Sequence, residues 1–547
     1  MLAALVAVTL ASSVTPAAEQ ATAPQRAAPQ PDLAQVRVTI QTLASDEFDG
    51  RGPASIGEQR TIAYLEKQFR QYGLAPANRG SYLQTVPMVQ VTAAPDAVLD
   101  VGGGKTPLRF AYGNDVIVTT PRAEEVITLR DSPLVFVGYG IVAPEFQWND
   151  YAGIDVHGKT VVVLVNDPGH GDASLFHGKA MTYYGRWSYK YEEATRQGAA
   201  AVLLVHDTDA AGYPWEVVRN SWSGPADLLP PGKDYHLLIN GWLSNEAASK
   251  LCIAAGQDLA ALQQAAGKPG FRALDLRQRA SLTLHNQVRS IESHNVVALV
   301  RGATHPEQVV VYSAHWDHFG EKPDAAGHPQ IFHGAVDNGT GVAGLLELAR
   351  QFAALDPKPA RSVLFIATTA EEQGLLGSAY YTSHPLFALA DTVANLNMDV
   401  MDVNGATRDL TVRGQFMSTL DEDLRRAAAS LGLTLGTDAD ATKGYYYRAD
   451  HFEFAKQGVP ALSINAGTDY VGHEPGWGLA RQREYTEQRY HKSADVYEPG
   501  WNLEGMQQQL QVLFLTGRAL AEGDEWPTWN DGGPFKAKRD AQRPARP

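Results

Sequence analysis

The chain has 547 residues, 44% apolar and 20% charged, which suggests several domains with large cores and excludes collagen-like, coiled-coil and wholly disordered proteins. With 46 Lys and Arg against 61 Asp and Glu, the net charge is −15, and this argues against nucleic acid as a partner. The single cysteine, Cys252, can form neither an internal disulfide nor a thiolate metal cluster, so any metal must be held by His, Asp and Glu.

The N-terminal segment predicts export. Residues 1–18 combine a short apolar run with a stretch of small residues, as a secretory signal peptide does, and residues 19–31, rich in Ala, Pro and Gln, predict a flexible leader. The apolar run is too short to cross a bilayer, and no cysteine near it offers an acylation site, so we expect no membrane anchor. The predicted location is periplasmic or secreted.

The rest of the chain divides into two kinds of region that differ in sequence pattern. Helical spacing of apolar residues predicts helices over 33–43 and about 57–72, whereas residues 93–291 consist of short β-rich runs broken by Gly and Pro. From residue 292 to 529, short apolar strands alternate with helices. Together with residues 32–92, this predicts a discontinuous α/β domain with a mixed central sheet and helices on both faces. Residues 530–547 are predicted to be a disordered tail.

Acids and histidines follow the predicted strands of the α/β domain. Since catalytic groups of such domains gather at the carboxyl ends of the strands, we expect these side chains to meet. They are His315, Asp317, Asp337, the pair Glu371–Glu372, Asp399 and His491. Each has an ordinary structural explanation by itself, such as a helix cap for Asp337, but the whole ordered set is difficult to produce by chance.

Two imidazoles and several carboxylates suit zinc, or manganese or cobalt in its place. One ion would not use them all, and paired ions that share a carboxylate and a water favour hydrolysis. A further carboxylate must take the proton of the water and give it to the leaving amine. The Glu371–Glu372 doublet offers one glutamate for each task.

These segments resemble the motifs of the co-catalytic di-zinc aminopeptidase family, which includes bacterial leucyl aminopeptidases. The resembling stretches are 43–52, 313–320, 334–344, 369–377, 395–399, 448–460 and 490–495. The resemblance implies the zinc-exopeptidase fold and two Zn²⁺ per chain. By resemblance, the metal-binding residues are His315, Asp337, Glu372, Asp399 and His491, with Asp337 as the bridge. It also makes Glu371 the general base and Asp317 the residue that orients His315.

Two further resemblances concern the mouth of the site. The tyrosine run 445–447 is similar to a family loop from which some members use a tyrosine hydroxyl to stabilise the oxyanion, and Tyr446 is our candidate; packing or side-chain binding is the alternative. The stretch 135–205 resembles a protease-associated domain. For Tyr183, Tyr184, Trp187 and Tyr189 of this insert, lining the rim and filling the core of the insert stay open as alternatives.

The sequence therefore predicts an exported metallo-exopeptidase that removes N-terminal residues from peptides with a free N-terminus. The alternatives are a carboxypeptidase, a glutaminyl cyclase or a non-catalytic receptor-like relative on the same fold. A carboxypeptidase needs a cationic pocket, for which the sequence offers Arg448 and Lys443 against many acids. We therefore expect amidation of the C-terminus of a peptide to change turnover little.

Overall fold

The computed structural model describes residues 29–222, 225–230, 237–323, 326–438 and 440–543. The predicted signal peptide and most of the predicted leader lie outside these residues. Across the described ranges, no helix combines the length and the apolarity that crossing a membrane requires.

Helices occur in both the α/β domain and the insert. The predicted helix over 33–43 is present, and Asp32 caps it by accepting a hydrogen bond from the backbone N–H of Gln35 at 3.0 Å. The α-helices of the described residues are α1 Leu33–Leu43, α2 Ile56–Gln71, α3 Trp187–Arg196, α4 Thr208–Ala211, α5 Trp215–Ser221, α6 Asn245–Ala254, α7 Leu259–Ala266, α8 Gly341–Ala353, α9 Leu376–Ser383, α10 Leu420–Ser430, α11 His451–Lys456, α12 Trp477–Gln488, α13 Glu504–Glu522 and α14 Lys536–Gln542.

Seventeen of the described strands form one extended sheet that joins the insert to the α/β domain, and the other four form two separate two-stranded sheets. In chain order they are β1 Ala75–Pro76, β2 Leu83–Ala93, β3 Val98–Gly102, β4 Leu108–Ala111, β5 Val116–Thr119, β6 Val126–Phe136, β7 Val142–Ala143, β8 Trp148–Asn149, β9 Thr160–Leu164, β10 Ala201–Val205, β11 Pro225–Leu228, β12 Ile239–Leu243, β13 Leu274–Val300, β14 His305–His315, β15 Gly320–Pro323, β16 Pro329–Phe332, β17 Arg361–Thr368, β18 Thr392–Asn397, β19 Asp409–Arg413, β20 Thr434–Gly436 and β21 Ala461–Ala466.

The central sheet is mixed, as predicted. Strands β17, β14, β18 and β21 lie side by side and parallel, while β13 flanks β17 and β19 flanks β21 in antiparallel orientation. Alternate residues of each strand point to opposite faces: Val310 and Tyr312 enter a core shared with α1, α8 and α13, whereas Val309 and Val311 enter a core shared with α9 and α11. Both faces are therefore covered by helices.

The chain leaves the central sheet along β2 and returns along β13, a 27-residue strand that pairs with β2 over residues 286–296. Between them, β6, β9, β10 and β12 form a second parallel set with cores on both faces. The insert contacts the α/β domain directly: the backbone N–H of Met181 donates to Ala441 O at 3.1 Å, and Lys456 Nζ lies 3.2 Å from Glu192 Oε1.

The C-terminal segment differs from the prediction of disorder. Residues 536–542 form α14, and the buried Arg539 donates hydrogen bonds to Leu389 O at 3.0 Å and Thr392 O at 2.8 Å. Phe535 is also buried, packing on Trp529 with ring centroids 5.1 Å apart. The charged composition of the tail concealed these anchors, because a single buried arginine and a single aromatic residue leave no periodic pattern.

Candidate metal centre

The parallel strands of the central sheet bring most of the predicted site residues to one edge. His315 is the last residue of β14, Glu371 and Glu372 follow β17, and Asp399 follows β18. Because β17, β14 and β18 are adjacent and parallel, their carboxyl ends coincide. Ligand atoms of His315, Glu371 and Asp399 lie within 4.8 Å of one another.

Asp337 lies between the two histidines. Its Oδ1 is 3.2 Å from Nε2 of His315, and its Oδ2 is 3.4 Å from Nε2 of His491. The turn before α8 holds it, since the carboxylate of Asp495 accepts hydrogen bonds from the backbone N–H groups of Val336 and Asp337. A buried carboxylate with one oxygen toward each imidazole has the arrangement that a bridging ligand requires.

Asp399 and Glu372 each lie near one of the two histidines. Asp399 Oδ1 lies 3.4 Å from His315 Nε2, and Glu372 Oε2 lies 3.2 Å from His491 Nε2. Burial alone would raise the pKa of Asp337, but hydrogen bonds from His315 and His491 lower that pKa well below its usual range. The Asp337 side chain is therefore a carboxylate, the form that binds cations.

His318 is a site residue that the sequence reasoning missed. Its side chain is fully buried, and Nδ1 lies 2.6 Å from the second oxygen of Glu372, Oε1. The two oxygens of Glu372 are thus divided between His318 and His491. The His-x-Asp-His spacing in residues 315–318 was a signal that could have revealed it.

Asp317 acts differently from the prediction. Nδ1 of His315 donates to the backbone carbonyl of Asp317 at 3.1 Å, while the nearer carboxylate oxygen of Asp317 is 3.8 Å away. That carboxylate instead accepts hydrogen bonds from the backbone N–H of Glu371 at 3.1 Å and of Glu372 at 3.4 Å. Asp317 therefore fixes the imidazole through its backbone and the glutamate doublet through its side chain.

Glu371 is not placed between the histidines. A carboxylate oxygen of Glu371 lies within 4.8 Å of the ligand atoms of His315 and Asp399, and the residue lines the cavity. Burial, followed by the charges of neighbouring carboxylates, raises its pKa well above the usual value of a glutamate, although His315 opposes this. A carboxylate with increased proton affinity is suited to accept a proton and release it again.

Arg51 lies beneath the site and is fully buried. Its guanidinium donates to four backbone carbonyls: Leu43 at 2.7 Å, Trp316 at 2.8 Å, His333 at 2.6 Å and Gly334 at 2.8 Å. It therefore connects the end of α1 to the segments that carry His315 and Asp337. Residues 43–52 resemble a family motif, but the sequence predicted no role for this arginine.

Three residues at the site adopt left-handed backbone conformations that side-chain-bearing residues rarely occupy. They are His491 at φ 57°, Ala370 at φ 52° before the glutamate doublet, and Val400 at φ 60° after Asp399. Each such residue costs about 1–3 kcal/mol and persists where surrounding contacts hold it. These backbone conformations set the directions of the site side chains at or next to the three residues.

This donor set fits divalent metal ions. Two imidazoles, a carboxylate between them and one further carboxylate on each side supply the nitrogen and oxygen ligands that zinc, manganese and cobalt accept. The buried Oε1 of Glu372 makes no well-directed hydrogen bond in the described structure, and so many buried acids in one place require compensating positive charge.

The family comparison agrees with this geometry. The sequence model of peptidase family M28 matches residues 295–514, a range that contains every metal-ligand candidate. This segment of the chain belongs to peptidase family M28.

Similar proteins include peptidases of two kinds. The chain is 27% identical over 369 residues to aminopeptidase NAALADL1 of Mus musculus, covering 58% of this chain and 47% of that protein. It is 30% identical over 214 residues to the probable glutamate carboxypeptidase AMP1 of Arabidopsis thaliana, covering 37% of this chain and 28% of that protein. The chain thus spans about half the length of NAALADL1.

Among solved structures, the aminopeptidase from Aneurinibacillus sp. strain AM-1 is 21% identical with a TM-score of 0.48, over 91% of this chain and 96% of that one. The zinc aminopeptidase BSAP from Bacillus subtilis is 19% identical with a TM-score of 0.40, over 91% of this chain and 98% of that one.

The M28 site opens into a cavity of about 1200 Å³. Tyr445 and Tyr447 line it, but Tyr446 does not: its ring is buried and its hydroxyl donates to Ala461 O at 3.0 Å. The choice of Tyr446 as the oxyanion residue is therefore corrected, because its hydroxyl is held by the backbone of β21. Adjacent residues on this short helical turn point in different directions, which the sequence run does not reveal.

The aromatic residues of the insert divide between the two expected roles. Trp187 lines the cavity, whereas Tyr184 and Tyr189 are buried in a core of the insert. Tyr183 packs across the junction on Phe452 of α11, with ring centroids 5.3 Å apart. The insert therefore forms one wall of the cavity and is fixed to the α/β domain.

Proposed function

We propose that the protein is a zinc-dependent aminopeptidase that hydrolyses the N-terminal peptide bond of peptides and holds two Zn²⁺ per chain. The observation that carries the proposal is Asp337, whose two oxygens face His315 and His491 separately. Asp399 would complete one ion-binding set and Glu372 the other. Mn²⁺ and Co²⁺ are possible substitutes for zinc.

When bound, two such ions lower the pKa of water and polarise the carbonyl of the scissile bond. Glu371 then takes the proton of the attacking water and delivers it to the departing amine, a task that suits its raised pKa. Asp317 holds the backbone of Glu371 in place for this transfer. Leu375 and Leu376 line the cavity beyond the doublet, where they exclude water around the reacting bond.

Two features support an aminopeptidase. The acids around the site attract the free α-amine of a peptide, so amine binding and carbonyl activation become one event. The mouse relative bears the name aminopeptidase. A carboxypeptidase is the second candidate, because the Arabidopsis relative is named a glutamate carboxypeptidase and more arginines line the cavity than the sequence suggested. The presence of all five ligand candidates disfavours a single-zinc glutaminyl cyclase and a receptor-like relative.

The metal count tests the first part of the proposal. We expect elemental analysis of zinc-reloaded protein to approach two equivalents, and Asp337→Asn to lower the content toward zero because it removes the shared ligand. Asp438→Asn, at a carboxylate that lines the cavity but belongs to neither candidate metal group, is the matched control and should keep two equivalents. A wild-type protein that saturates at one equivalent would refute the two-ion site and favour the cyclase.

The end of the peptide from which a residue is released tests the second part. Leucyl-p-nitroanilide should be hydrolysed, and N-acetyl-leucyl-p-nitroanilide should be nearly inert because acetylation removes the charged amine. Release of C-terminal residues from N-acetylated peptides would instead establish the carboxypeptidase. We also propose that the protein is exported, on the strength of its N-terminal sequence. Fractionation of cells that express the full chain tests this, and activity confined to the cytoplasm would contradict it.

A further inference from the structure

Three arginines from distant parts of the chain meet in the cavity wall. Arg186 comes from the insert just before α3, Arg413 ends β19, and Arg448 follows the tyrosine run. The guanidinium carbons of Arg413 and Arg448 lie 4.6 Å and 5.1 Å from the ring centre of Tyr445. We call these three residues the arginine cluster.

Within the described ranges, the arginine cluster has no acidic partner. In the part of the chain that the structure describes, none of the three guanidinium groups forms an ion pair, and the Nε atom of each is buried without a hydrogen-bond acceptor. Burial, and then the charge of Arg448, lower the pKa of Arg186 to about 9. Buried donors without partners and neighbouring like charges both cost free energy, which a bound anion would recover.

Other cations in the same cavity wall are paired. Arg489 contacts Glu498, Arg481 contacts Glu484, and Lys456 lies 2.7 Å from Glu453. Lys443, which the sequence placed beside Arg448 as a possible anion site, is 3.1 Å from Asp440 and is thus neutralised. Among the described cations of this wall, the absence of an acidic partner is therefore specific to the arginine cluster.

The cavity consequently has two poles of opposite charge. Asp337, Glu371, Glu372 and Asp399 line the cavity at the candidate metal centre, and the arginine cluster lines the same cavity. A short peptide with both ends free carries the complementary charges, an ammonium group at one end and a carboxylate at the other. Guanidinium groups bind carboxylates through paired, charge-assisted hydrogen bonds.

We propose that the enzyme selects short peptides with two free ends, whose C-terminal carboxylate binds to Arg186, Arg413 and Arg448 while the N-terminal residue is cleaved. This inference rests on the proposed aminopeptidase function and names its substrate class. The insert takes part in selection because it supplies Arg186, and the cavity of about 1200 Å³ limits how many residues fit between the two poles. This proposal predicts the opposite of the expectation from the sequence that C-terminal amidation changes turnover little.

Matched peptides test this proposal with the full zinc-loaded chain. We expect kcat/KM for Leu-Gly-Gly to exceed that for Leu-Gly-Gly-amide by roughly 10- to 100-fold, the usual effect of losing hydrogen bonds to a charged group. Leucyl hexapeptides should be cleaved more slowly than Leu-Gly-Gly. Leu-Glu-Gly-amide distinguishes the other source of a carboxylate: if it restores full turnover, an acidic side chain is the ligand and the C-terminal proposal is overturned.

Arginine variants test whether the arginine cluster causes the difference in turnover between Leu-Gly-Gly and its amide. Arg448→Gln and Arg413→Gln should each lower kcat/KM for Leu-Gly-Gly toward that of its amide, mainly by raising KM. Arg481→Gln, in the same wall but paired with Glu484, is the matched control and should keep the difference between acid and amide. Turnover of leucyl-p-nitroanilide, which has no carboxylate, identifies a variant that has simply failed to fold.

The outcomes separate this inference from the proposed function. Equal turnover of Leu-Gly-Gly and its amide by the wild-type enzyme, or an acid preference that persists in both arginine variants, overturns the inference but leaves the aminopeptidase standing. Turnover of neither peptide refutes the aminopeptidase itself. C-terminal cleavage of N-acetylated Leu-Gly-Gly overturns both, since a carboxypeptidase needs no free amine.

Discussion

Replacing Glu371 by glutamine should separate proton transfer from metal binding. The two side chains have nearly the same shape, and the backbone N–H of residue 371 keeps its hydrogen bond to Asp317. What changes is the ability to accept a proton from the attacking water. General acid–base catalysis commonly supplies roughly 10²- to 10⁴-fold in rate, equivalent to about 2.7–5.4 kcal/mol in activation free energy. We therefore expect Glu371→Gln to lower kcat by this factor.

The metal content of Glu371→Gln should stay at the wild-type level, because Glu371 lies beside His315 and Asp399 rather than between the two histidines. Glu372→Gln is the matched control, since Glu372 Oε2 faces His491 at 3.2 Å, and it should lose zinc. Steady-state kinetics on leucyl-p-nitroanilide and elemental analysis of both variants measure the two effects. Zinc loss in Glu371→Gln with normal zinc in Glu372→Gln would refute the assignment within the doublet.

Three further changes test the surroundings of the site and the fold. His318→Phe removes the imidazole that lies 2.6 Å from Glu372 Oε1, so zinc affinity, measured against a competing chelator, should fall roughly 10- to 100-fold. Unchanged affinity would show that His318 only packs. Gly517→Ala would place a methyl group against the hydroxyl of Tyr312, so the free energy of unfolding, measured in urea, should fall by about 1–3 kcal/mol. Wild-type stability would show that α13 and β14 can move apart at no cost. Burial lowers the pKa of Lys190 to about 7, so above this pH the folded side chain is neutral and unfolding takes up a proton. The free energy of unfolding should therefore rise between pH 7 and 9. Lys190→Met should remove that rise, and identical pH profiles of variant and wild type would contradict the lowered pKa.

Local sequence pattern was enough to place the metal-ligand candidates. His315, Glu372 and Asp399 each follow a short apolar run, and parallel strands of one sheet end at the same edge. Once the runs are recognised as neighbouring strands, the meeting of these side chains follows without knowledge of the packing. The mixed sheet with helices on both faces was likewise predictable, because strand alternation and helix periodicity are properties of short segments.

Groups whose roles depend on contacts between distant segments were not predictable in this way. Arg51 binds carbonyls up to 283 residues away, and the burial of Tyr446 depends on β21, 15 residues further along the chain. The carboxylate of Asp317 turned out to bind the glutamate doublet because of how β14 and β17 align. A residue type and its neighbours in sequence do not specify which of several possible partners it meets.

The sequence by itself indicated the kind of chemistry: histidines and carboxylates in a fixed order along alternating strands and helices predict a metal centre, in a segment that belongs to peptidase family M28. Tertiary structure alone decided what that centre faces. Arg186 lies in the insert, more than 200 residues before Arg413 and Arg448, and docking of the insert brings the three together in a wall where, among the described residues, none of them forms an ion pair. Charge balance in a buried space is a property of the assembled cavity, because the free energy of each charge depends on neighbours that only folding supplies.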